Sequence, residues 1–177
     1  MIIQDATQDH AGAITAIYGH HVLHGLGTFE ESPPPQAEMV GRIGKVQALG
    51  LPYLVAADDS RVLGFAYAGP FRPRAAYRYT VEDSVYVSPD AVGHGVGRAL
   101  LAEVISRCEQ QSLRQMIAVI GDSANAASVG LHAALGFVHT GIARDVGFKH
   151  DQWVDIVFMQ RTLTPVIGGQ GLDLAEA

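Results

Sequence analysis

One cysteine among 177 residues, Cys108, leaves no second thiol in the chain with which to form a disulfide. It falls inside a helical pattern and is expected to be a packed or half-exposed side chain rather than a nucleophile. Positive charge is also scarce. Twelve Lys and Arg stand against 18 Asp and Glu, a formal net charge of -6. That sign disfavours nucleic acid or an anionic membrane surface as the main partner. No stretch reaches about 18 consecutive apolar residues, so no membrane-spanning helix is expected. The opening residues MIIQDATQDH show no basic segment leading into an apolar run, and the expected location is the cytoplasm. Repeats are absent as well. With 48% hydrophobic and 17% charged residues, the composition is that of an ordinary globular protein of one domain.

Periodicity divides the chain into short elements. Ile2 to Asp5 reads as a strand, and Asp9 to His24 as an amphipathic helix carrying Ile14, Ile17, Tyr18, His21 and Val22 at helical spacing. The loop GLGTFEESPPP is followed by a second helical pattern closed at Gly50. Tyr53 to Ala57 and Val62 to Ala68 form a hairpin through Asp58, Asp59 and Ser60. A strand from about Thr80 to Val87, a helix from Arg98 to Gln111 and a buried strand from Gln115 to Ile120 come next. A helix over Asn125 to Leu135 and strands at Phe137 to Ile142 and Val154 to Arg161 complete the order. The class is α+β, with an antiparallel front half and βαβα units behind it. Residues 165–177, VIGGQGLDLAEA after Pro165, are expected to be a flexible tail beyond a domain of residues 1–164.

The segment SVYVSPDAVGHGVGRALL turns from strand to helix through Gly93, Gly95 and Gly97. Glycine lets the backbone take positive φ and lets a ligand lie against it, and a helix that starts there aims its free N–H groups at that ligand. The segment lacks the Lys-Ser/Thr of a P-loop, and its G-x-G-x-G is not the dinucleotide G-x-G-x-x-G. On the glycines alone, a pyrophosphate site and a ligand-free tight turn both stand.

Val92-Gly93-His94-Gly95-Val96-Gly97 resembles the acyl-CoA-binding turn of the GNAT N-acetyltransferases, whose pattern is Arg or Gln, x, x, Gly, x, Gly or Ala. Val92 departs from the first position, which implies altered phosphate contacts. The blocks FAYAGPFRPRAAYRYTVEDSVYVSP, AVIGDSANAASVGLHAALGF and GFKHDQWVDIVFMQ are similar to the phosphinothricin and methionine sulfoximine acetyltransferase subgroup, in the same order over roughly residues 1 to 164. The resemblance implies the GNAT fold, a mixed and mostly antiparallel sheet flanked by helices, with splayed strands that hold acetyl-CoA. It implies acetyl transfer to the α-amino group of a small glutamate-like analogue such as phosphinothricin, methionine sulfoximine or methionine sulfone, and a homodimer. Two alternatives stand beside it: acetylation of another small amine, and a non-catalytic CoA-binding sensor.

The same resemblance assigns candidate roles. Glu82 matches the active-site glutamate; on the residues alone it would be a solvated edge carboxylate. Because strand side chains alternate, Glu82 and Asp83 cannot point into the same cleft. The backbone of Val85, Tyr86 and Val87 would pair with pantetheine, and Gly93, His94, Gly95, Val96, Gly97 and Arg98 would bind the pyrophosphate. Asn125 reads both as a helix cap and as a pantetheine contact, and Ser128 lies near it. His132 reads either as a core histidine or as the acid that protonates the leaving thiolate. Arg72 and Arg74, with Tyr77 as a wall, suit a substrate carboxylate, because guanidinium offers paired donors in a plane. Phe29 and Glu30 lie on a loop placed to close over the substrate. His20, His21 and His24 make a helix face rather than a metal site, and no metal is expected.

Overall fold

The computed structural model describes residues 1–59, 61–164 and 172–173. Its centre is a seven-stranded sheet in the order β1-β2-β3-β4-β5-β7-β6. The strands are β1 (Ile2–Asp5), β2 (Tyr53–Ala57), β3 (Val62–Pro70), β4 (Thr80–Val87), β5 (Gln115–Gly121), β6 (Val138–Lys149) and β7 (Gln152–Thr162). Every neighbouring pair is antiparallel except β4 and β5. Helices α1 (Ala11–His24), α2 (Gln36–Ala48), α3 (Val96–Gln110) and α4 (Ala126–Ala134) cover the faces.

Strand alternation builds two cores. Tyr53, Val55 and Phe65 turn to one face and bury Ile14, Ile17, Val22, Met39 and Ile43 of α1 and α2. Leu54, Ala56, Ala66, Val81, Met116 and Ala118 turn to the other and bury Leu100, Leu101, Val104 and Cys108 of α3. Leu131 of α4 and Leu135, its C-cap, pack against this second core.

The expected α+β class and mixed, mostly antiparallel sheet describe this architecture, with two adjustments. The rear half holds one parallel β4-α3-β5 unit, since β5 then pairs antiparallel with β7. The strand expected at Phe137 to Ile142 continues to Lys149 and forms a long hairpin with β7. Of the expected tail, residues 165–171 and 174–177 lie outside the described residues. Leu172 is described: it is 8% exposed, packs in the α3-side core and donates its N–H to Arg78 O at 2.8 Å. Ser60, in the β2-β3 turn, is likewise outside the described residues.

Candidate active site

The sheet opens at its centre. β4 runs to Val87, but its register with β5 covers only Thr80–Asp83 against Gln115–Ala118. On its other edge β4 stays paired with β3 through Gly64↔Val87. In that ladder Ser88 N donates to Leu63 O at 2.8 Å and Phe71 N to Thr80 O at 3.3 Å. In an antiparallel pair this pattern turns the N–H and C=O of alternate residues, here Val81, Asp83, Val85 and Val87, away from β3. Val81 and Asp83 meet β5, whereas the backbone groups of Val85 and Val87 point into the split. His21 of α1 donates its Nε2 proton to one of them, Val87 O, at 2.9 Å.

Two cavities meet there. One, of about 240 Å³, lies in the split and is lined by His21, Asp83, Val85, Asn125, Ser128 and His132 among others. The second, of about 270 Å³, is lined by Phe29, Tyr67, Glu82 and Ile156. Both include Gly27, Ser84, Tyr86, Val119 and Gly121, so they adjoin at the end of the strand pairing. Gly121 is required by space, because a Cβ there would sit 2.1 Å from Leu26 O, where the loop after α1 crosses the end of β5.

At the mouth of the split, Gly93 and Gly95 have φ of 83° and 79°. Gly95 is the N-cap of α3 in left-handed conformation, and among the described residues no side chain caps the helix. The first N–H groups of a 15-residue helix are therefore free for an anionic ligand. His94 and Arg98 are exposed beside them. Gly97 brings α3 close to the splayed strand, with its Cβ position 3.4 Å from Val87 and Leu131 side-chain atoms.

Glu82 is half-buried on the α1 side. Burial raises its pKa above the ordinary carboxylate range, Arg72 draws it back and Asp83 adds to the rise. Phe29 caps this cavity, and its ring occupies the space in front of Gly147. Glu30 is committed elsewhere: Arg42 grips both its oxygens at 2.6 and 3.1 Å, and Tyr18 Oη donates to it at 2.9 Å. Buried Lys149 donates to Thr28 O at 2.7 Å. The loop is thus already seated over the sheet, and Glu30 anchors it. Arg72, Arg74 and Tyr77 are exposed on the segment before β4, and neither cavity includes them in its lining.

On the α4 side, Asn125 Oδ1 accepts from Ser128 N at 3.1 Å, an N-cap, while both residues line the split. His132 is 2% exposed. Its Nε2 lies 3.0 Å from Asp83 Oδ2 and its Nδ1 2.7 Å from Ser128 O. Burial pushes His132 down, but the bond to Asp83 and its charge outweigh this and leave the imidazole above the ordinary histidine range. Burial of Cys108 pushes its thiol up to about 12, so the sulfur is no nucleophile near neutral pH. Among the described residues no group of three or more His, Cys, Asp or Glu is placed to hold a metal ion, and no helix is long and apolar enough to cross a membrane. Sequence patterning had left Asp83, His21 and Lys149 without roles. Only the alternation that separates Asp83 from Glu82 hinted at the first of them.

The acetyltransferase (GNAT) family model matches residues 20–137. The chain is 58% identical to a phosphinothricin N-acetyltransferase of Alcaligenes faecalis, over 88% of this chain and 79% of that protein. It is 39% identical to an L-methionine sulfoximine/L-methionine sulfone acetyltransferase of Salmonella typhimurium, over 92% and 95% of the two chains. A crystal structure of a GNAT superfamily phosphinothricin acetyltransferase from Sinorhizobium meliloti in complex with AcCoA superposes with a TM-score of 0.89 and 47% identity, covering 96% of this chain and 89% of that one.

Proposed function

Because this chain belongs to the acetyltransferase (GNAT) family, we propose that it moves the acetyl group of acetyl-CoA to the α-amino group of a small glutamate-like analogue: phosphinothricin, methionine sulfoximine or methionine sulfone. The observation that carries this reading is the junction of two cavities at one split, with free backbone donors on one side and a half-buried carboxylate on the other. Relatives named for those substrates support the amine class. The proposed catalytic unit is residues 1–164, which contain the lining of both cavities.

Acetyl-CoA supplies the acetyl group as a thioester. Its pyrophosphate is assigned to the N–H groups of Gly93 to Arg98, including His94, Val96 and Gly97, where a glycine cap leaves the helix end open. Pantetheine is assigned to the split, against the backbone of Val85 and Val87, with Tyr86, Asn125 and Ser128 as walls. The amine enters beneath Phe29. An ammonium group cannot attack, so Glu82 takes its proton, and the raised pKa of Glu82 makes it a stronger base than a solvated carboxylate. The Val87 N–H faces the charge that develops on the carbonyl oxygen. Arg72 and Arg74 are assigned to the substrate carboxylate, with Tyr77 beside them. His132 is assigned to the proton needed by the leaving sulfur.

Amine-dependent release of free thiol from acetyl-CoA, across a panel of phosphinothricin, methionine sulfoximine, methionine sulfone, ordinary amino acids and a polyamine, tests this. Release with the first three that falls about 10² to 10⁴-fold in Glu82→Gln supports both substrate and base. Release with a different amine alone replaces the substrate class, a second reading favoured by the position of Arg74 and Tyr77 outside both cavities. Acetyl-CoA binding with no release for any amine would favour a sensor.

We also propose a homodimer formed through the β6-β7 hairpin, which exposes Val138, Val146, Phe148 and Trp153 by 52 to 64%. Light scattering at the mass of one chain would overturn it. The location we propose is the cytoplasm, a reducing compartment that suits a lone buried thiol.

A further inference from the structure

Asp83 stands at the apex of the split, the last residue of β4 to pair with β5. Its Oδ1 is buried and has no hydrogen-bond partner among the described residues, although the residue lines the cavity. An orphaned carboxylate oxygen is costly and is retained in a core only where something offsets the cost. Its other oxygen meets His132 Nε2 at 3.0 Å. The partner of Nδ1, Ser128 O at 2.7 Å, is a carbonyl and only accepts, so Nδ1 carries a proton. Nε2 and Asp83 therefore share one further proton between them, whether as imidazolium and carboxylate or as imidazole and carboxylic acid. Ser128 Oγ, 3.4 Å from Nδ1, is the hydroxyl of this group that lines the cavity.

We infer that Asp83, His132 and Ser128 form a proton relay to the leaving thiolate, with Asp83 as a positioning residue that keeps a transferable proton on the buried imidazole. The inference rests on the acetyl-transfer reading of this site. When the carbon–sulfur bond breaks, sulfur leaves with the bonding pair. The Ser128 Oγ proton passes to sulfur and the Nδ1 proton passes to Oγ, while the shared proton stays on Nε2. CoA departs as the free thiol, and Asp83 is left as a carboxylate beside neutral His132. A proton from solvent, matching the one the amine released, restores the pair. Among the described residues the groups that face this unit are few: His21 lines the same cavity but is bonded to Val87 O. Cys108 of α3 is a neutral thiol, Glu82 lies on the opposite face of β4, and Met116 and Ala118 of β5 carry no charge. Phe137 sets its ring edge-on to the imidazole at 5.0 Å.

Asp83→Asn separates this role from a structural one, because an amide keeps the shape and donates to Nε2 but removes the shared proton. The expected result is a kcat lower by about 10²-fold, with KM for acetyl-CoA changed by less than about twofold. The high-pH limb of kcat should flatten as well. In ¹⁵N spectra of the protein, His132 Nε2 should change from sharing a proton to a plain acceptor. Ser128→Ala, which leaves the pair intact, should lower kcat by a similar factor while keeping the wild-type Nε2 signal. Wild-type kcat in either variant overturns the relay. If wild type acetylates no amine, the acetyl-transfer reading has failed, and the Nε2 signal still decides the pair: no change in Asp83→Asn means that no proton is shared.

Discussion

Glu82 and Asp83 are adjacent carboxylates on one strand, and the two sides of β4 treat them differently. Glu82 faces the α1 side, half-buried among Phe29, Tyr67 and Tyr86, with Arg72 near enough to lower its pKa. Asp83 faces the α3–α4 side, 6% exposed and bonded to a histidine, at the wall of the cavity in the split. The lesson concerns placement rather than residue type. Strand alternation sends neighbouring acids to opposite faces, and the end of β4–β5 pairing leaves both at one opening in the sheet. Glu82 lines one cavity half-buried, while Asp83 lines the other with its side chain buried against His132.

Truncation should separate the two sides most sharply in stability. Asp83→Ala strands His132 in the core and is expected to cost about 3 kcal/mol or more in denaturant unfolding. Glu82→Ala, which removes a half-buried side chain from the cavity wall, should cost less than about 1 kcal/mol. Equal losses would erase the distinction.

The next effect is on pH. The folded-state pKa of His132 is raised above its ordinary 6.5, through Asp83 and against burial. A raised pKa stabilises the fold below the unfolded value and loses that contribution as pH rises through the folded one. Burial raises Asp83 as well, but Asp83 shares one proton with His132, so the pair gives up that proton in a single step. Wild-type stability should therefore decline above about pH 6.5, and Asp83→Asn should flatten the decline in thermal melts. Persistence of the slope in that variant would assign it to another group.

The smallest effect lies on the Glu82 side. Arg72 holds the Glu82 pKa below what burial and Asp83 alone would give. Arg72→Gln should move the low-pH limb of kcat/KM upward, by a fraction of a pH unit for so exposed a charge. A downward shift would mean that Glu82 is not the group that titrates in that limb.

The strand-to-helix turn after β4 was legible in the sequence, because its signals are local, whereas Glu82 was singled out only by the family resemblance. An alternating strand, glycines and an apolar helical pattern lie in one continuous stretch, and the turn forms where they meet. The Asp83 side was not legible. Asp83 and His132 are 49 residues apart, and nothing around either residue names the other. Glu30 read as part of a loop that closes over the substrate because its holder, Arg42, belongs to the next helix. The far half of β6 escaped notice for a different reason. Its register slips between Ala143 and Gly147, and Asp145 takes φ of 53°, held where its N–H meets Asp155 Oδ1 at 3.0 Å. Such an interruption breaks the period-two pattern by which a strand is read.

Titration of ¹⁵N-labelled protein with acetyl-CoA, followed amide by amide, addresses the split in the sheet most directly. Shifts concentrated at Val85, Val87 and Val92 to Arg98 are expected, since those N–H groups face the opening or cap α3. A separate apolar cavity of about 240 Å³ between the helices and the sheet, lined by Tyr18, Met39, Tyr53 and Phe65, serves as the control. Shifts centred there, with the β4 and turn amides unmoved, would contradict the placement of the co-substrate in the split.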